Sequence, residues 1–318
     1  MSLTERQLAE DIRGFLQLVE SLERPALTDV GAEVARTAVK TMTPDDGGVR
    51  RCQSEDMVLD VAGGQIPLRI YRPRNPRGVL VFLHGGGWVL CDLDTHDVFA
   101  DQLAHSTQYV VVSVGYRLAP EHPYPIPLDD AYAALCWAGA NVEALAPGCS
   151  QVAIAGDSAG GNLAIACSLK ARDQGGPRIL HQLLFYPVTD ISSLETPSYS
   201  AFADGYYLRK SDMAWFAQQY VADAGSTSDP YVSPLCAVNL QGLPPTYLIT
   251  AGFDVLRDEG TEFAAKLKHA GVPVRYVCYP EMIHGFLTLA SNIPSARTAT
   301  ERVLREAAQE LGSQQVSA

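Results

Sequence analysis

The sequence predicts an α/β protein built on one mostly parallel sheet of eight strands, with helices on both faces and a helical cap. Two observations predict this fold class: short apolar runs alternate with helical patterns of ten or more residues, and one long stretch interrupts the alternation. Buried strands that alternate with crossover helices form parallel sheets covered on both faces. The chain of 318 residues is 47% hydrophobic, which is enough for a sizeable core.

Two segments outside the sheet are predicted to form the cap. In residues 1–50, apolar side chains recur at helical spacing from Leu8 to Leu22, before any strand-like run begins. Residues 190–228 separate two strand-like runs, and a gap of this length in a compact domain is usually a lid or an insertion. Helical spacing recurs in this gap behind Ser211, a residue type that caps helices. The chain is therefore divided into four parts: 1–50, 51–189, 190–228 and 229–318.

Eight runs have the length and composition of strands. In chain order they are MVLDV, IPLRIYRP, VLVFLH, YVVVSVGY, QVAIAG, HQLLFYP, PTYLITAG and PVRYVCYP. We expect the first two to pair antiparallel and most of the others to run parallel. Helices between and after the later runs are expected to begin near Leu128, Ser158, Val255 and Pro294.

A serine stands where an apolar run meets a helical pattern, in VAIAGDSAGGNLAIA. Ser158 lies between Gly156 and Gly160, which matches the G-x-S-x-G pattern of a nucleophile elbow. Glycines two residues on either side remove side chains that would collide in so tight a strand-to-helix turn. The helix that follows directs amide N–H groups toward the serine. Ser158 is therefore the candidate nucleophile.

Candidate donors for an oxyanion follow the apolar run VLVFL. The motif HGGGW contains Gly85, Gly86 and Gly87, whose amides can face a ligand with no side chain in the way. Each such donor contributes about 3 kcal/mol at a tetrahedral intermediate. A phosphate loop is the competing interpretation, but no G-K-[ST] follows and no basic residue lies nearby. His84 is interpreted as a structural residue that bonds the loop.

A base and an acid are expected downstream of the serine, the acid before the base. Asp254 follows the run TYLITAGF, and His284 follows VRYVCYPEMI. Both lie beyond the carboxyl ends of predicted strands, the edge where open α/β sheets build their active sites. Asp258 and Glu259 compete for the role of the acid. Asp254 is preferred because it lies nearest the strand end, whereas the other two are expected to open the next helix.

Apolar side chains of the cap and of the glycine motif are candidates for contact with a substrate. On the sequence alone, the cap residues among them are equally compatible with packing of the cap against the body. The candidates are Phe15, Leu16, Trp88, Met213, Trp215 and Phe216.

Composition argues against several classes of partner. The chain has 24 basic and 36 acidic residues, a net charge of −12, and no Lys/Arg cluster that could neutralise a row of phosphates, so nucleic acid is not expected. No apolar run approaches the roughly 18 residues of a membrane span, and no secretion signal opens the chain, so a cytoplasmic protein is expected. Seven scattered cysteines form no C-x-x-C pair, and no metal-ligand spacing is present. We expect neither a metal nor another cofactor.

Five motifs together resemble a known family. In chain order, HGGGW, YRLAPEHPYP, GDSAGGNLA, DVLRDEG and IHGF are similar to the motifs of hormone-sensitive-lipase-like carboxylesterases, the bacterial lipolytic enzymes of GDSAG type. The resemblance extends from about residue 50 to about residue 290. It implies the α/β-hydrolase fold, with a helical cap made from the N-terminal segment and from an insertion before the strand that carries the acid.

The resemblance also implies the roles of individual residues. It makes Ser158 the nucleophile, Asp254 the acid and His284 the base. The implied oxyanion hole consists of the amides of Gly86, Gly87 and Ala159, with Gly85 completing the turn. Val255 stands where the family commonly has proline, a difference that removes no catalytic group.

The activity implied by the resemblance is hydrolysis of small-molecule esters with short- to medium-chain acyl groups, through an acyl-enzyme intermediate. A homodimer formed through a sheet edge is implied as well. Two alternatives remain. An amide-cleaving deacetylase would use the same catalytic groups. A ligand-binding receptor of similar sequence would lack the catalytic histidine, and His284 argues against it.

Overall fold

An eight-stranded sheet runs through the computed structural model, which describes residues 7–23, 25–43, 49–221 and 227–313. The strands are β1 (Gln53–Val61), β2 (Gly64–Arg72), β3 (Val79–Leu83), β4 (Val110–Val114), β5 (Val152–Asp157), β6 (Ile179–Phe185), β7 (Thr246–Phe253) and β8 (Val274–Ile283). Their spatial order is β1-β2-β4-β3-β5-β6-β7-β8.

The pairing of the strands divides the sheet into a short antiparallel part and a longer parallel part. β1 and β2 form an antiparallel hairpin, and β2 also pairs antiparallel with β4. All other pairs are parallel. The predicted mostly parallel sheet of eight strands is confirmed, including its antiparallel first pair.

Helices cover both faces of this sheet. They are α1 (Glu10–Ser21), α2 (Leu27–Met42), α3 (Asp97–Thr107), α4 (Ile126–Ala140), α5 (Val142–Leu145), α6 (Ala159–Gln174), α7 (Pro197–Ala201), α8 (Lys210–Tyr220), α9 (Arg257–His269) and α10 (Pro294–Ser313). Four of them begin within two residues of the predicted starts.

α3 is a helix that the sequence pattern does not predict. The helix buries apolar residues such as Phe99 and Leu103, but its buried side also carries Asp101. The Asp101 carboxylate accepts hydrogen bonds from the backbone amides of Arg51 (3.0 Å) and Cys52 (2.9 Å). Because this buried carboxylate bonds a distant segment of the chain, a charged residue interrupts the apolar periodicity on which the prediction of a helix depends.

Side chains of the central strands alternate between two apolar layers. In β3, Val79, Val81 and Leu83 face one layer, which includes residues of α4, α6 and α9. Leu80 and Phe82 face the other layer, which includes residues of α3 and α10. All five side chains are fully buried. The strands are therefore wholly apolar rather than alternating in the sequence, as the parallel arrangement requires.

Four motifs follow strands that end at the same edge of the sheet. β3 ends at Leu83 before the glycine motif, and β5 ends at Asp157 before the serine. β7 ends at Phe253 and β8 at Ile283, each directly before its candidate catalytic residue. Because β3, β5, β7 and β8 all run parallel in this part of the sheet, their carboxyl ends lie together.

The helices from the two predicted cap segments lie near this edge. α2 packs against α8, and α1 packs against α10. Arg36 on α2 joins the cap to the body, since its guanidinium donates to the carbonyl oxygens of Val89 (2.7 Å) and Ala119 (2.8 Å) and forms an ion pair with Glu121 (2.7 Å). The bounds of the cap, 1–50 and 190–228, stay a prediction and include residues outside the described ranges.

Gly160 allows α6 to pack against the end of β3, and we predict that it tolerates no side chain. A Cβ at this position would lie 2.5 Å from the carbonyl oxygen of His84 and closer still to that of Leu83. Because both obstacles are backbone atoms, Gly160→Ala should lower the free energy of unfolding by about 2 kcal/mol or more, measured by urea denaturation. Gly14→Ala is the matched control: nothing lies within 4 Å of its Cβ, so α1 should gain up to about 1 kcal/mol. Equal stability of the two variants would contradict the packing argument.

Candidate active site

Ser158 occupies a strained turn between β5 and α6. Its backbone angles, φ 54° and ψ −120°, lie where non-glycine residues are rare and cost about 1–3 kcal/mol. Hydrogen bonds hold the backbone of Ser158 in this conformation. Its amide donates to the Phe185 carbonyl oxygen (2.9 Å), and its carbonyl oxygen accepts from the amides of Asn162 and Val188 (3.1 Å each). This turn projects the hydroxyl beyond the end of the strand.

The structure brings Ser158, His284 and Asp254 into one hydrogen-bonded chain. The Ser158 Oγ lies 2.9 Å from Nε2 of His284, and Nδ1 of the same ring lies 2.8 Å from Oδ2 of Asp254. The other oxygen of Asp254 accepts from the Leu256 amide (3.0 Å). All three side chains are buried, with Asp254 only 1% exposed. The arrangement can move a proton from the hydroxyl to the imidazole.

The two carboxylates that compete with Asp254 in the sequence have other partners. Asp258 accepts from the Ser198 amide (2.8 Å) and from Arg257 (2.8 Å). Glu259 is fully buried and accepts from the amides of Thr189 (2.7 Å) and Asp190 (3.2 Å). Burial raises the pKa of Glu259 well above its usual range. Neither carboxylate contacts His284 in the described part of the chain.

Three backbone amides beside the serine are available to a ligand. Within the described ranges, the N–H groups of Gly86, Gly87 and Ala159 donate to no other protein atom. Ala159 opens α6, so its amide has no partner inside the helix. The Gly85 amide, in contrast, donates to Oδ1 of Asp157 (2.9 Å). The inclusion of Gly85 among the candidate oxyanion donors is therefore corrected: its N–H already holds the glycine loop, which fits the turn role that the resemblance implies.

His84 stabilises the same glycine loop through its ring and its backbone. Its ring stacks on Tyr116 with centroids 4.3 Å apart, and its Nδ1 lies 2.8 Å from the Gly85 carbonyl oxygen, to which it can donate. The Tyr116 hydroxyl donates to the His84 carbonyl oxygen (2.7 Å). Burial, with a further contribution from neighbouring His96, lowers the pKa of His84 to about 4. His84 is therefore neutral at ordinary pH. Its contacts with the loop fit the structural role predicted from the sequence.

A cavity of about 350 Å³ opens onto Ser158. Its lining includes apolar residues of α2, the glycine loop and the segment after His284. The apolar residues of the α2 wall are Leu27, Val30, Val34, Ala35, Ala38 and Val39. Phe216 of α8 also lines the cavity. The part of the lining that α2 supplies is thus mainly hydrocarbon.

Of the six apolar residues predicted to contact substrate, only Phe216 lines this cavity. Trp88 is fully buried and stacks on Tyr220 with centroids 4.3 Å apart. Of the remaining four, Met213 and Trp215 are buried in one apolar layer, and Phe15 and Leu16 are partly buried and pack against the other. For the four cap residues the structure favours the packing alternative, because a helix turns only one side toward the cavity.

Several residues of the site are missed on the sequence alone. His96 is 4% exposed and lines the cavity with Asp157 and Ser158. Tyr207, in an irregular segment before α8, lines the cavity as well. Neither stands in a recognisable motif, so no local signal could have found them. Only the fold brings them to the serine.

Two further findings concern metal binding and membrane-spanning helices. The described part of the chain contains no group of three or more His, Cys, Asp or Glu side chains arranged to bind a metal ion. Among the helices in the described ranges, none has both the length and the apolar character needed to cross a bilayer.

Comparison with known proteins gives consistent matches. Residues 80–288 match the family model of the alpha/beta hydrolase fold. Carboxylesterase NlhH of Mycobacterium tuberculosis is 40% identical over 281 residues, 86% of this chain and 88% of that protein. Ethyl acetate hydrolase of Pseudomonas putida is 34% identical over 306 residues, 91% of this chain and 95% of that protein.

Solved structures give the same result. The ester hydrolase EH1AB1 from the metagenome of Lake Arreo has a TM-score of 0.91 and 35% identity, covering 96% of this chain and 100% of that one. A thermostable esterase from Pseudomonas putida ECU1011 has a TM-score of 0.88 and 36% identity, covering 96% and 98%.

These matches define the class of protein as an α/β-hydrolase. Within that class, the chain belongs to the family of hormone-sensitive-lipase-like carboxylesterases, as its five motifs predict. The predicted ester-hydrolase activity is confirmed at the level of the reaction class.

Because its pKa is low, His84 should make the free energy of unfolding depend on pH. The unfolded chain binds this proton near pH 6.5 and the folded chain only near pH 4, so acidification between these values favours unfolding. The stabilisation is complete above about pH 6.5 and is lost as the pH falls toward 4. From pH 7.5 to pH 5, the wild type should lose about 2 kcal/mol more than His84→Phe, measured by urea denaturation. His105→Phe, at an exposed position, should follow the wild type. Equal losses in the wild type and His84→Phe would contradict the prediction.

Proposed function

We propose that the protein is a serine carboxylesterase that hydrolyses esters of short- to medium-chain acids through an acyl-enzyme intermediate on Ser158. The observation that carries the proposal is the hydrogen-bonded chain from Ser158 through His284 to Asp254 (2.9 and 2.8 Å), next to three available backbone amides. Hydroxyl, imidazole, carboxylate and oxyanion donors are the groups that acyl transfer through a serine needs.

The first half of the reaction forms the acyl-enzyme. His284 Nε2 accepts the proton of the Ser158 hydroxyl as Oγ attacks the ester carbonyl carbon. The carbonyl oxygen becomes an oxyanion and accepts hydrogen bonds from the amides of Gly86, Gly87 and Ala159. Collapse of the tetrahedral intermediate breaks the bond to the alcohol oxygen, to which the His284 imidazolium returns the proton.

The second half releases the acid. A water molecule takes the place of the alcohol, His284 accepts one of its protons, and the resulting attack forms a second tetrahedral intermediate on Ser158. Collapse then breaks the acyl bond to Ser158 Oγ, which takes back the proton from the imidazolium. The same amides stabilise both oxyanions, and each amide contributes about 3 kcal/mol.

Asp254 acts on the imidazole rather than on the substrate. Its carboxylate is 1% exposed and accepts from His284 Nδ1, so it selects the tautomer whose Nε2 faces Ser158. In a buried position the charge of Asp254 also stabilises the imidazolium that forms during attack.

The cavity supports the proposed acyl-length range. The apolar wall of α2 beginning at Leu27 can bury an aliphatic acyl chain, and the limited volume of about 350 Å³ favours short to medium chains. The names of relatives, among them an ethyl acetate hydrolase and an arylesterase, are consistent with small esters. The homodimer and the cytoplasmic location stay predictions.

The assignment of roles predicts a pattern among four variants. Ser158→Ala and His284→Ala should abolish measurable turnover of p-nitrophenyl butyrate. Asp254→Asn should lower kcat by about 10⁴-fold, because the imidazole loses its orientation. Asp258→Asn is the matched control, since this carboxylate bonds Ser198 and Arg257 instead, and it should cost little. Retained turnover in Ser158→Ala, or a large loss only at Asp258, would overturn the assignment.

A second prediction concerns acyl length and the α2 wall. With p-nitrophenyl esters from acetate to palmitate, kcat/KM should be highest in the short to medium range. Ala38→Phe places a ring in the cavity, so kcat/KM for the octanoate should fall about tenfold or more while the acetate changes little. Thr37→Phe, an exposed position on the same helix outside the cavity wall, should leave the profile unchanged.

The same substrate series distinguishes the proposed esterase from the amide alternative. An acetanilide-type amide should be turned over far more slowly than the corresponding phenyl ester. Faster cleavage of the amide than of the ester would replace the proposed esterase with a deacetylase that uses the same residues.

For the acyl-length prediction, an unchanged chain-length profile in Ala38→Phe would show that the acyl group does not lie along α2.

A further inference from the structure

The Asp157 carboxylate joins the two loops on which the proposed reaction depends. Asp157 directly precedes Ser158, is 4% exposed, and accepts from the amide of Gly85 through Oδ1 (2.9 Å). It also lies so close to the glycine loop that a Cβ on Gly85 would approach Oδ2 to 2.5 Å. The residue before the nucleophile thus fixes the start of the loop that carries the amides of Gly86 and Gly87.

A second side chain, that of His96, contacts both oxygens of this carboxylate. The His96 Nε2 lies 3.3 Å from Oδ1 and 3.4 Å from Oδ2 of Asp157. Nδ1 of His96 lies 3.1 Å from the Thr95 hydroxyl. The ring is 4% exposed and packs against Phe82 and His84, with centroids 6.1 and 5.5 Å apart. In the tautomer with its proton on Nε2, His96 donates to Asp157, and the surrounding rings fix its direction.

The position of His96 argues against a direct part in proton transfer. Ser158 Oγ already faces His284, which in turn is oriented by Asp254. His96 instead stands directly before α3 and reaches the carboxylate that precedes the serine. A hydrogen bond to a buried carboxylate fixes the direction in which its oxygens face, and positioning errors of about 1 Å at an active site can cost about 10²-fold in rate.

We infer that His96 is a positioning residue for the oxyanion hole: through Asp157, it holds Gly85 so that the amides of Gly86 and Gly87 face the developing oxyanion. The inference rests on the proposed function, since it assigns a support to that site. It concerns stabilisation of the transition state rather than binding of the substrate, and this distinction makes it testable.

The experiment compares two replacements of His96 in the full-length chain. His96→Leu removes the donor while keeping an apolar side chain of moderate size. His96→Gln keeps an N–H donor near the position of Nε2. His105→Leu is the matched control, an exposed histidine on α3 that contributes no side chain to the site. The readouts are kcat and KM for p-nitrophenyl butyrate, the inhibition constant of a butyl trifluoromethyl ketone, and the thermal unfolding midpoint.

The expected result distinguishes weaker stabilisation of the oxyanion from weaker binding of the substrate in the ground state. His96→Leu should lower kcat about 10- to 100-fold with KM within about threefold of wild type. The ketone forms a hemiketal oxyanion on Ser158, so its affinity should weaken by the same factor as kcat/KM. His96→Gln should recover most of both losses, and His105→Leu should match the wild type.

Three outcomes would overturn the inference. These are unchanged kcat in a folded His96→Leu, a loss confined to KM with unchanged ketone affinity, and equal losses in His96→Gln and His96→Leu. If His96→Leu does not fold, His96→Asn replaces it, because the shorter side chain cannot reach Asp157. Ser158→Ala is measured in parallel. If it retains activity, the proposed function fails, whereas a normal Ser158 dependence with an active His96→Leu refutes only the inference.

Discussion

The turn at Ser158 is the constraint on which the rest of the site depends. A non-glycine residue at φ 54° is costly, and it is held by backbone hydrogen bonds to Phe185, Asn162 and Val188. Beside this turn the end of β3 approaches α6 directly, with Gly160 against the carbonyl oxygens of Leu83 and His84. The same close approach brings the glycine loop beside the serine, so that the proposed nucleophile and the proposed oxyanion donors lie next to each other.

The surroundings of this turn divide into polar supports and apolar walls. Buried polar bonds fix the parts that must not move: Asp157 to the Gly85 amide, and His84 to the Gly85 carbonyl oxygen. The cavity that opens onto Ser158 is lined in part by hydrocarbon from α2, whose Arg36 attaches this helix to the body through Val89. Rigid polar geometry at the reacting centre and an apolar wall beside it suit differential stabilisation of the transition state.

Much of this arrangement could be predicted because it is encoded locally. The apolar runs predict all eight strands, and the glycines around Ser158 predict the turn. Asp254 and His284 stand directly after strands, so the parallel sheet brings them to one edge. The apolar cap residues were harder to interpret: Phe216 and Met213 share the helical periodicity, yet only Phe216 reaches the cavity, because periodicity gives a buried face without specifying what covers it.

The sequence by itself therefore determined the fold class, the family and the residues of the hydrogen-bonded chain, since each follows from motifs a few residues long placed at strand ends. Only the tertiary structure decided that Gly85 uses its amide on Asp157, that His96 is buried beside that carboxylate, and that α2 forms the wall of the cavity. The physical reason is distance along the chain. His96 lies 61 residues from Asp157, and a contact of that kind is set by how strands and helices pack, for which no local pattern carries a signal.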